Sequence, residues 1–260
     1  MLLHIVKRPT SFAHLRTVQG AQEKTSYDQT RHLQNIGQDE PRLNIDQKKV
    51  FTALLSTIDN NEGKLFFLDG PEETGKTFLI NLLLKKVRFI GKIALAVASS
   101  GIAATLLEGG RTAHSAFNLP LKIPTDDNYS VCSVSKQSNT GKLMRDCSLI
   151  VWNEATMSNK TVEALDRTMR DLRNKNSPMG GCTILFSGDF RQNLPVVTRG
   201  TRADEINTCL KRSNLWPHVD KLELKTNMRV SSSSRENRLF PEMLLKVGNG
   251  EITHLSTFAF

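Results

Sequence analysis

A glycine-rich stretch has the residue types and spacing needed to hold phosphate groups. Residues 70–77, GPEETGKT, fit the pattern GxxxxGK[ST] and lie between the apolar run KLFFLD and an amphipathic stretch. A strand and a helix would therefore flank the loop. Lys76 would contact the β and γ phosphates, and the Thr77 hydroxyl would hold magnesium. The other loop residues expected to bind nucleotide are Gly70, Thr74 and Gly75. The alternative is a glycine-rich turn that matches the pattern by chance.

Two carboxylates in this loop work against phosphate binding. Glu72 and Glu73 occupy the part of the loop that must approach a triphosphate. At about 8 Å and an effective dielectric near 20, each unit-charge repulsion would cost on the order of 2 kcal/mol, and less if the side chains turn to water. We therefore expect nucleotide binding to be weakened rather than lost.

Two polar residues directly follow the apolar run LIVW. Asn153 and Glu154 would lie at the carboxyl edge of a parallel sheet, where ligands bind in such folds. In P-loop enzymes the first position is normally Asp, which holds the magnesium shell, and the following Glu activates water. Asn153 could still accept a hydrogen bond from a magnesium-bound water, but the lost charge should weaken metal binding and slow turnover. The alternative is a strand end with two solvated polar residues.

A glutamine follows the next apolar run, TILFS. Gln192 lies within SGDFRQ and would reach the same edge of the sheet. A glutamine there can orient water or sense the γ phosphate. The alternative is an ordinary strand-to-loop turn whose Asp189 and Arg191 face solvent.

These candidates need a parallel sheet to bring them together. Short apolar runs bounded by Gly or Ser alternate with helical stretches, as is typical of βαβ units and an α/β fold. Strands are predicted over residues 64–69, 93–98, 148–152, 183–187 and 221–224. Helices are predicted over residues 76–88 and 161–173, which carry apolar residues at helical spacing. Residues 122–140, rich in Ser, Asn and Asp, are predicted to be a surface excursion between two strands.

The composition is that of a globular chain with a basic surface. The 260 residues are 38% hydrophobic, and 35 Lys and Arg against 26 Asp and Glu give a net charge of +9. This charge favours a polyanionic partner such as nucleic acid, although a solvated basic surface explains it as well. The four cysteines lack CxxC spacing, so we expect reduced thiols in an intracellular compartment rather than a zinc site or disulfides. Neither a signal peptide nor a membrane span is expected.

Several stretches occur in the order seen in the Pif (petite integration frequency) helicases, which the chain resembles. They are LNIDQ at 43–47, the loop at 70–77, ASSGIAA at 98–104, GRTAHSAF at 110–117, WNEA at 152–155, GDFRQNLPVV at 188–197 and LKTNMR at 224–229. These helicases are superfamily-one motors that use ATP and Mg²⁺ to unwind DNA in the 5′ to 3′ direction. Short patches at 9–20 and 246–251 resemble the branch carried by Helitron transposons. The resemblance implies a P-loop NTPase domain with a recombinase-like, doubly wound parallel sheet.

The resemblance also implies roles for individual residues at the nucleotide. Gln47 would contact the adenine, Glu154 would activate water, Gln192 would sense the γ phosphate, and Arg229 would act as an arginine finger. Lys76 and Thr77 would hold phosphate and magnesium. The alternatives are that Gln47 is a helix-surface residue and Arg229 a surface cation.

A second implied group lines a path for single-stranded DNA. It consists of the stretches 100–104 and 112–117, in which the candidate DNA-binding residues are Ser100, Gly101, Thr112, His114 and Phe117. The last two would contact the backbone or stack on bases. The alternatives are that His114 is a satisfied buried histidine and that Phe117 belongs to the core.

The chain departs from the family pattern at several places. The family loop usually reads GPGGTGKT, so Glu72 and Glu73 replace glycines, and the usual Asp-Glu pair is Asn153 and Glu154 here. We expect residues 1–42 to be a poorly ordered lead-in, residues 43–252 to form the motor domain and residues 253–260 to be a tail. Because the chain stops soon after Arg229, a second motor domain is expected to be absent.

The favoured interpretation is therefore an ATP-dependent DNA helicase present as a fragment. It would bind single-stranded DNA and DNA junctions in the nucleus or the mitochondrion, hydrolyse ATP slowly, and not separate strands alone. Roles in DNA repair, recombination and telomere maintenance are implied by the family only. One alternative is a catalytically decayed, DNA-binding remnant of a transposon helicase. Another is a different P-loop enzyme such as a nucleotide kinase, for which the sequence shows no acceptor pocket.

Overall fold

A single parallel sheet forms the centre of the molecule. The computed structural model describes residues 36–71, 73–120, 123, 129–155, 159–190 and 201–228. In these residues the strands are β1 (Leu65–Asp69), β2 (Ala94–Ala98), β3 (Arg111–Thr112), β4 (Leu149–Asn153), β5 (Thr183–Gly188) and β6 (Val219–Glu223). Their order across the sheet is β3-β2-β4-β5-β1-β6, and every pairing is parallel. The carboxyl ends of all these strands therefore meet at one edge.

Helices connect the strands, and several begin at a side chain that caps them. They are α1 (Ile45–Asp59), α2 (Lys76–Phe89), α3 (Gly101–Thr105), α4 (Ala113–Phe117), α5 (Asn139–Asp146), α6 (Asn159–Arg173) and α7 (Arg202–Thr208). Asn44, Ser100, Thr112, Ser138 and Thr201 accept a backbone hydrogen bond at the first turn of the helix that follows each of them. Such caps satisfy amides that the helix itself leaves unpaired, each contributing about 1 kcal/mol.

Hydrophobic cores cover both faces of the sheet. On one face, α1 and α2 bury residues such as Leu54 and Leu83 against β1, β4 and β5. On the other, α4 and α6 pack residues such as Leu165 around the fully buried Trp152 and Phe186. Helices on both faces of a parallel sheet make the fold doubly wound, as predicted.

The predicted strands are all present, with their ends shifted by one or two residues. The sequence missed β3, which is only two residues long and pairs at the edge of the sheet with β2. The last predicted strand, 221–224, is observed as β6 at Val219–Glu223. Helix α6 begins two residues before the predicted start at residue 161. Strand existence was therefore well predicted, and strand ends were not.

Two segments are more structured than the sequence indicated. Residues 122–140 are not wholly a surface excursion, because Cys132 is buried in the core and its N–H donates to Thr168 Oγ1 at 2.8 Å. Residues 36–42, assigned to the lead-in, form a helical turn and a 3-10 turn in which Ile36 is buried. Glu40 also pairs with Lys86 of α2 at 3.1 Å. The structured domain therefore begins before residue 43; residues 1–35 and the predicted tail lie outside the described residues.

All four cysteines are buried free thiols. The sulfurs of Cys147 and Cys182 lie 3.5 Å apart just before β4 and β5. The hydrogen bond with Cys147 and burial raise the pKa of Cys182 well above its usual value. The Cys182 thiol is therefore protonated at neutral pH. In the described parts of the chain no helix is long and apolar enough to cross a bilayer, and no cluster of three acidic, His or Cys side chains suits a metal.

Candidate nucleotide and DNA site

The glycine-rich loop runs from β1 into α2, as its sequence predicts. Gly75 caps α2 with a left-handed backbone (φ 76°), and its carbonyl accepts the N–H of Leu79 at 3.0 Å. A Cβ at Gly75 would lie 2.5 Å from Nε2 of Gln47. Only glycine satisfies both the backbone conformation and this close approach.

The loop is closed by its own side chains. The Lys76 ammonium donates to the Gly70 carbonyl and, at 3.1 Å, to the Pro71 carbonyl. The Thr74 hydroxyl also donates to the Pro71 carbonyl at 2.9 Å. Thr77 is half-buried in the first turn of α2. The structure therefore brings the predicted loop residues together, with Lys76 folded onto the loop that would receive phosphate.

Gln47 is held between α1 and the loop. It is 1% exposed, so the alternative of a helix-surface residue is wrong. Its Oε1 accepts the N–H of Asn44 at 3.1 Å and its N–H donates to Asn44 Oδ1 at 2.8 Å, which forms a capping box. Its Nε2 donates to the Thr74 carbonyl at 2.9 Å. Both ends of the amide are thus engaged within the protein.

Glu73 has a backbone conformation that normally favours glycine. Its φ is 67°, in the left-handed region. Its carbonyl accepts the N–H of Met228 at 2.9 Å, and its Oε2 lies 3.4 Å from Nδ2 of Asn227. The residue that replaces a family glycine therefore contacts the segment that follows β6.

Asn153 and Glu154 lie at the carboxyl end of β4. Asn153 is 5% exposed, and its Oδ1 accepts the Ser187 hydroxyl of β5 at 2.7 Å. Glu154 is exposed and has a left-handed backbone with φ 50°. The alternative of two solvated polar residues is therefore wrong for Asn153. Because β1 and β4 are parallel strands of one sheet, Glu154 and the loop are at the same edge.

Sequence reasoning assigned no role to Ser99, which contacts the whole end of β4. Its N–H donates to the Asn153 carbonyl at 3.3 Å, and its hydroxyl donates to the Glu154 carbonyl. The same hydroxyl accepts from Nε1 of Trp152 at 3.3 Å. In the sequence, Ser99 is marked only by its position beside Ser100 at the end of an apolar run. That position does not reveal its contacts with the neighbouring strand.

Part of the predicted DNA path is open to solvent. Ser100 and Gly101 are exposed at the start of α3, and Ile102, which belongs to the stretch 100–104 predicted to line the path, is 82% exposed. Thr112 caps α4, and Arg111 donates to Ser115 Oγ at 3.0 Å beside it. These residues could contact a nucleic-acid strand running over α3 and α4.

The two residues with ring side chains on that path, His114 and Phe117, differ in how far they are buried. His114 is half-buried, so it is not the fully buried histidine of the alternative. Phe117 is fully buried, with its ring centroid 6.1 Å from that of Trp152. Phe117 is thus a core residue, and the expectation that it contacts DNA fails in this structure, because every part of its ring is covered by neighbouring side chains.

Two predicted site residues, Gln192 and Arg229, lie outside the described residues. Phe190, near Gln192 in the chain, stacks on Phe67 with centroids 4.7 Å apart and meets Trp216 edge-on at 5.9 Å. Met228, directly before Arg229, is bound to the loop through Glu73. Phe190 therefore packs against β1, and Met228 contacts the phosphate loop.

The donor set fits a nucleotide phosphate better than it fits a metal ion. The glycine loop, the start of α2 and the Lys76 ammonium suit an anion. The residues predicted to hold Mg²⁺ offer the Thr77 hydroxyl and the Asn153 amide oxygen, which are both neutral, and a carboxylate would bind the ion more strongly. We infer that a metal would be held largely through the phosphates that it accompanies.

Comparison with known proteins identifies relatives over most of the chain. The family model described as PIF1-like helicase matches residues 42–257. The ATP-dependent DNA helicase RRM3 of Saccharomyces cerevisiae is 25% identical over 215 residues, which cover 81% of this chain and 28% of that protein. The ATP-dependent DNA helicase PIF1 of Homo sapiens is 28% identical over 168 residues, or 62% of this chain and 24% of that protein.

Solved structures share the fold. The Pif1 helicase from Bacteroides in complex with ADP-AlF3 and ssDNA matches with a TM-score of 0.66 and 23% identity, covering 81% of this chain and 47% of that one. The Pif1 helicase from Candida albicans matches with a TM-score of 0.61 and 23% identity, covering 79% of this chain and 44% of that one. The chain spans less than half the length of each of these relatives. Because the family model covers most of the sequence, the chain belongs to the PIF1-like helicase family.

Proposed function

We propose that this chain provides the ATP-binding motor domain of an ATP-dependent DNA helicase. The observation that carries the proposal is that the phosphate loop with Lys76 and the strand end with Glu154 lie at one edge of the parallel sheet. A phosphate site beside a carboxylate is the arrangement that nucleotide hydrolysis needs. The relatives named as ATP-dependent DNA helicases support the same assignment.

The chain's own residues would share the chemistry as follows. Lys76 would leave the carbonyls of Gly70 and Pro71 and bind the phosphates, so nucleotide replaces an internal contact. Thr77 and Asn153 would hold Mg²⁺, which supplies charge neutralisation at the phosphates when bound. Glu154 would take a proton from the attacking water. Gln192 and Arg229 are proposed to complete the site as γ-phosphate sensor and arginine finger.

Single-stranded DNA is the proposed partner, together with DNA junctions. Ser100, Gly101, Thr112 and His114 are exposed or half-buried on neighbouring helices and are proposed to contact the strand. The net charge of +9 favours such a polyanion. A Bacteroides relative has been solved with ssDNA, and another structure concerns forked dsDNA, which supports the same partner class. The proposed location is the nucleus or the mitochondrion, with roles in DNA repair, recombination and telomere maintenance.

The decisive experiment is Mg²⁺-dependent ATP hydrolysis by the purified chain, with and without a single-stranded oligonucleotide. Hydrolysis that DNA stimulates and that Lys76→Ala abolishes is the expected result. Strand separation by these 260 residues alone is not expected, because they span less than half the length of the helicases that they match. Hydrolysis that persists in Lys76→Ala would contradict the proposal.

A second candidate is a DNA-binding domain that has lost catalysis. The observations that favour it are Asn153 at the expected position of an acidic residue and Glu73 in a backbone conformation suited to glycine. The triple variant Asn153→Asp, Glu72→Gly and Glu73→Gly distinguishes the two. A gain of hydrolysis from an inactive parent that binds DNA supports the second candidate; DNA-stimulated hydrolysis by the parent itself excludes it.

A further inference from the structure

We propose that Ser99 is a positioning residue that transmits the binding of single-stranded DNA at α3 to Glu154. This inference rests on the proposed function, because it assumes that α3 contacts DNA and that Glu154 is the base. Ser99 itself would touch neither the nucleotide nor the strand.

Ser99 forms hydrogen bonds with three consecutive residues at the end of β4. Its N–H donates to the Asn153 carbonyl at 3.3 Å, while its hydroxyl donates to the Glu154 carbonyl and accepts from the Trp152 indole at 3.3 Å. One small side chain thus uses both its donor and its acceptor capacity on a neighbouring strand. A shift of Ser99 therefore alters all three contacts together.

Glu154 depends on such support, because its backbone is in an uncommon conformation. A φ of 50° is sparsely populated by residues other than glycine, and it persists only where neighbouring groups fix it. On one side the Glu154 carbonyl is held by Ser99. On the other, the N–H of Ala155 donates to the Ser187 carbonyl at 2.8 Å. Losing the first contact would loosen the Glu154–Ala155 peptide, although the Ala155 N–H would still join it to Ser187.

The other side of Ser99 is joined directly to α3. Ser100 caps this helix, with its hydroxyl accepting the N–H of Ala103 at 3.1 Å. Ala103 and Ala104 of α3 pack against Ala98 at the end of β2, so the helix and the strand end form one small apolar unit. The outer surface of α3 is open, with Ile102 82% exposed. A strand that binds there acts on a rigid unit one peptide bond from Ser99.

These contacts give a short mechanical route between two sites. DNA on α3 would move the Ser99 hydroxyl relative to β4, and the Glu154 peptide would follow. We therefore expect DNA to raise the turnover rate through Ser99 rather than through the affinity for ATP. The coupling should appear in kcat and leave KM for ATP nearly unchanged.

The test compares Ser99→Ala, Ser99→Thr and Ser100→Ala with the parent chain. At saturating (dT)20, the stimulation of kcat should be at least fivefold smaller in Ser99→Ala than in the parent chain. The affinity of Ser99→Ala for labelled (dT)20, measured by fluorescence anisotropy, should stay within twofold of the parent value. Ser99→Thr keeps the hydroxyl and should restore the stimulation. Ser100→Ala should weaken DNA binding but retain stimulation once DNA saturates. Equal stimulation in Ser99→Ala and the parent would overturn the proposal.

Two further readouts require no ATP hydrolysis, and the first of them requires no DNA. Hydrogen exchange of the Ala155 amide should be at least tenfold faster in Ser99→Ala than in the parent, and normal in Ser99→Thr. In a Trp216→Phe background, Trp152 is the sole tryptophan, and (dT)20 should shift its emission unless Ser99 is replaced by Ala. If no variant hydrolyses ATP, the proposed function fails, while the exchange result still decides whether Ser99 holds Glu154. Unchanged exchange in Ser99→Ala would refute the positioning role.

Discussion

Nε2 of Gln47 donates to the carbonyl of Thr74 at 2.9 Å, so one buried side chain joins the first turn of α1 to the phosphate loop. The same amide completes the capping box with Asn44. The cap of one helix and the shape of the loop before the next are therefore linked. Any contact between Gln47 and adenine would be made by a residue already fixed by the loop.

Replacing Gln47 should damage the loop and the helix cap together. Gln47→Ala loses the reciprocal capping bond and the Thr74 contact, so we expect the free energy of unfolding to fall by about 2 kcal/mol and nucleotide affinity to drop. Chemical denaturation and titration with fluorescent ATP and GTP analogues measure the two effects. Equal losses for ATP and GTP indicate loop support, whereas a loss confined to ATP indicates adenine recognition.

The matched control for Gln47 is Asn44→Ala. It removes the capping oxygen but leaves the Gln47 contact with Thr74. Stability should fall by about 1 kcal/mol with nucleotide affinity retained. A large loss of affinity in Asn44→Ala would contradict the link between Gln47 and the loop.

Asn153→Asp should strengthen metal binding and speed hydrolysis. The carboxylate could keep the hydrogen bond from Ser187, but a buried charge without a cation is costly, so we expect the free protein to lose about 1–2 kcal/mol of stability. Mg²⁺ and ATP should recover that loss, and kcat should rise about tenfold or more. Thermal melting with and without Mg²⁺·ATP, beside steady-state kinetics, measures both. Asn153→Ala, which offers no oxygen, should gain nothing.

Glu73→Gly should relieve backbone strain and remove a charge from the loop. A residue other than glycine at φ 67° costs about 1 kcal/mol or more, so the variant should be more stable by about that amount, less the loss of the Asn227 contact. Its affinity for ATP should also increase, because one carboxylate no longer repels the phosphates. Asn61→Gly is the control, since Asn61 also has a positive φ (53°) but lies in the turn after α1. It should leave ATP affinity unchanged.

Phe117 and Ile102 should respond in opposite ways to replacement by alanine. Phe117→Ala opens a cavity in the core and should cost about 3–5 kcal/mol of stability. Ile102→Ala changes an exposed side chain, so stability should stay within about 0.5 kcal/mol while affinity for single-stranded DNA falls several-fold. Denaturation and fluorescence anisotropy separate the two. Unchanged DNA affinity in Ile102→Ala would place the strand elsewhere.

The buried thiol of Cys182 makes stability depend on pH. Its pKa is raised in the folded chain, so as pH rises through the usual thiol pKa of about 8.5 the unfolded state loses its proton first. The free energy of unfolding should therefore be fully retained below that pH and decline above it. Denaturation at several values between pH 7 and 10 measures this slope. Cys182→Ala should flatten it, and an unchanged slope would assign it to other groups.

The sequence predicted those elements whose signal is local. Buried strands such as β4 and β5 are continuous apolar runs, and the phosphate loop matches a spaced pattern between a strand and a helix. The resemblance added residues that no single pattern indicates, such as Gln47, which the structure places against the phosphate loop. These parts of the fold, and the position of the candidate site within it, could therefore be predicted from the sequence.

What the sequence missed depends on contacts between distant residues. β3 is too short for a periodic pattern, and β6 is a mostly exposed edge strand whose ends are poorly marked. Ser99 gains its place only because β2 and β4 are neighbours. Phe117 has the same residue type whether it is in the core or on a DNA path, and only its packing against Trp152 distinguishes the two.

The order of the strands sets the distance between the phosphate loop and Glu154. β5 lies between β1, which leads into the phosphate loop, and β4, which ends at Glu154. Neighbouring strands are about 4.8 Å apart, so two intervals separate the two ends by roughly 10 Å. If β1 and β4 were adjacent, the proposed base Glu154 would lie closer to the phosphate loop, with less room for the water that it is proposed to activate.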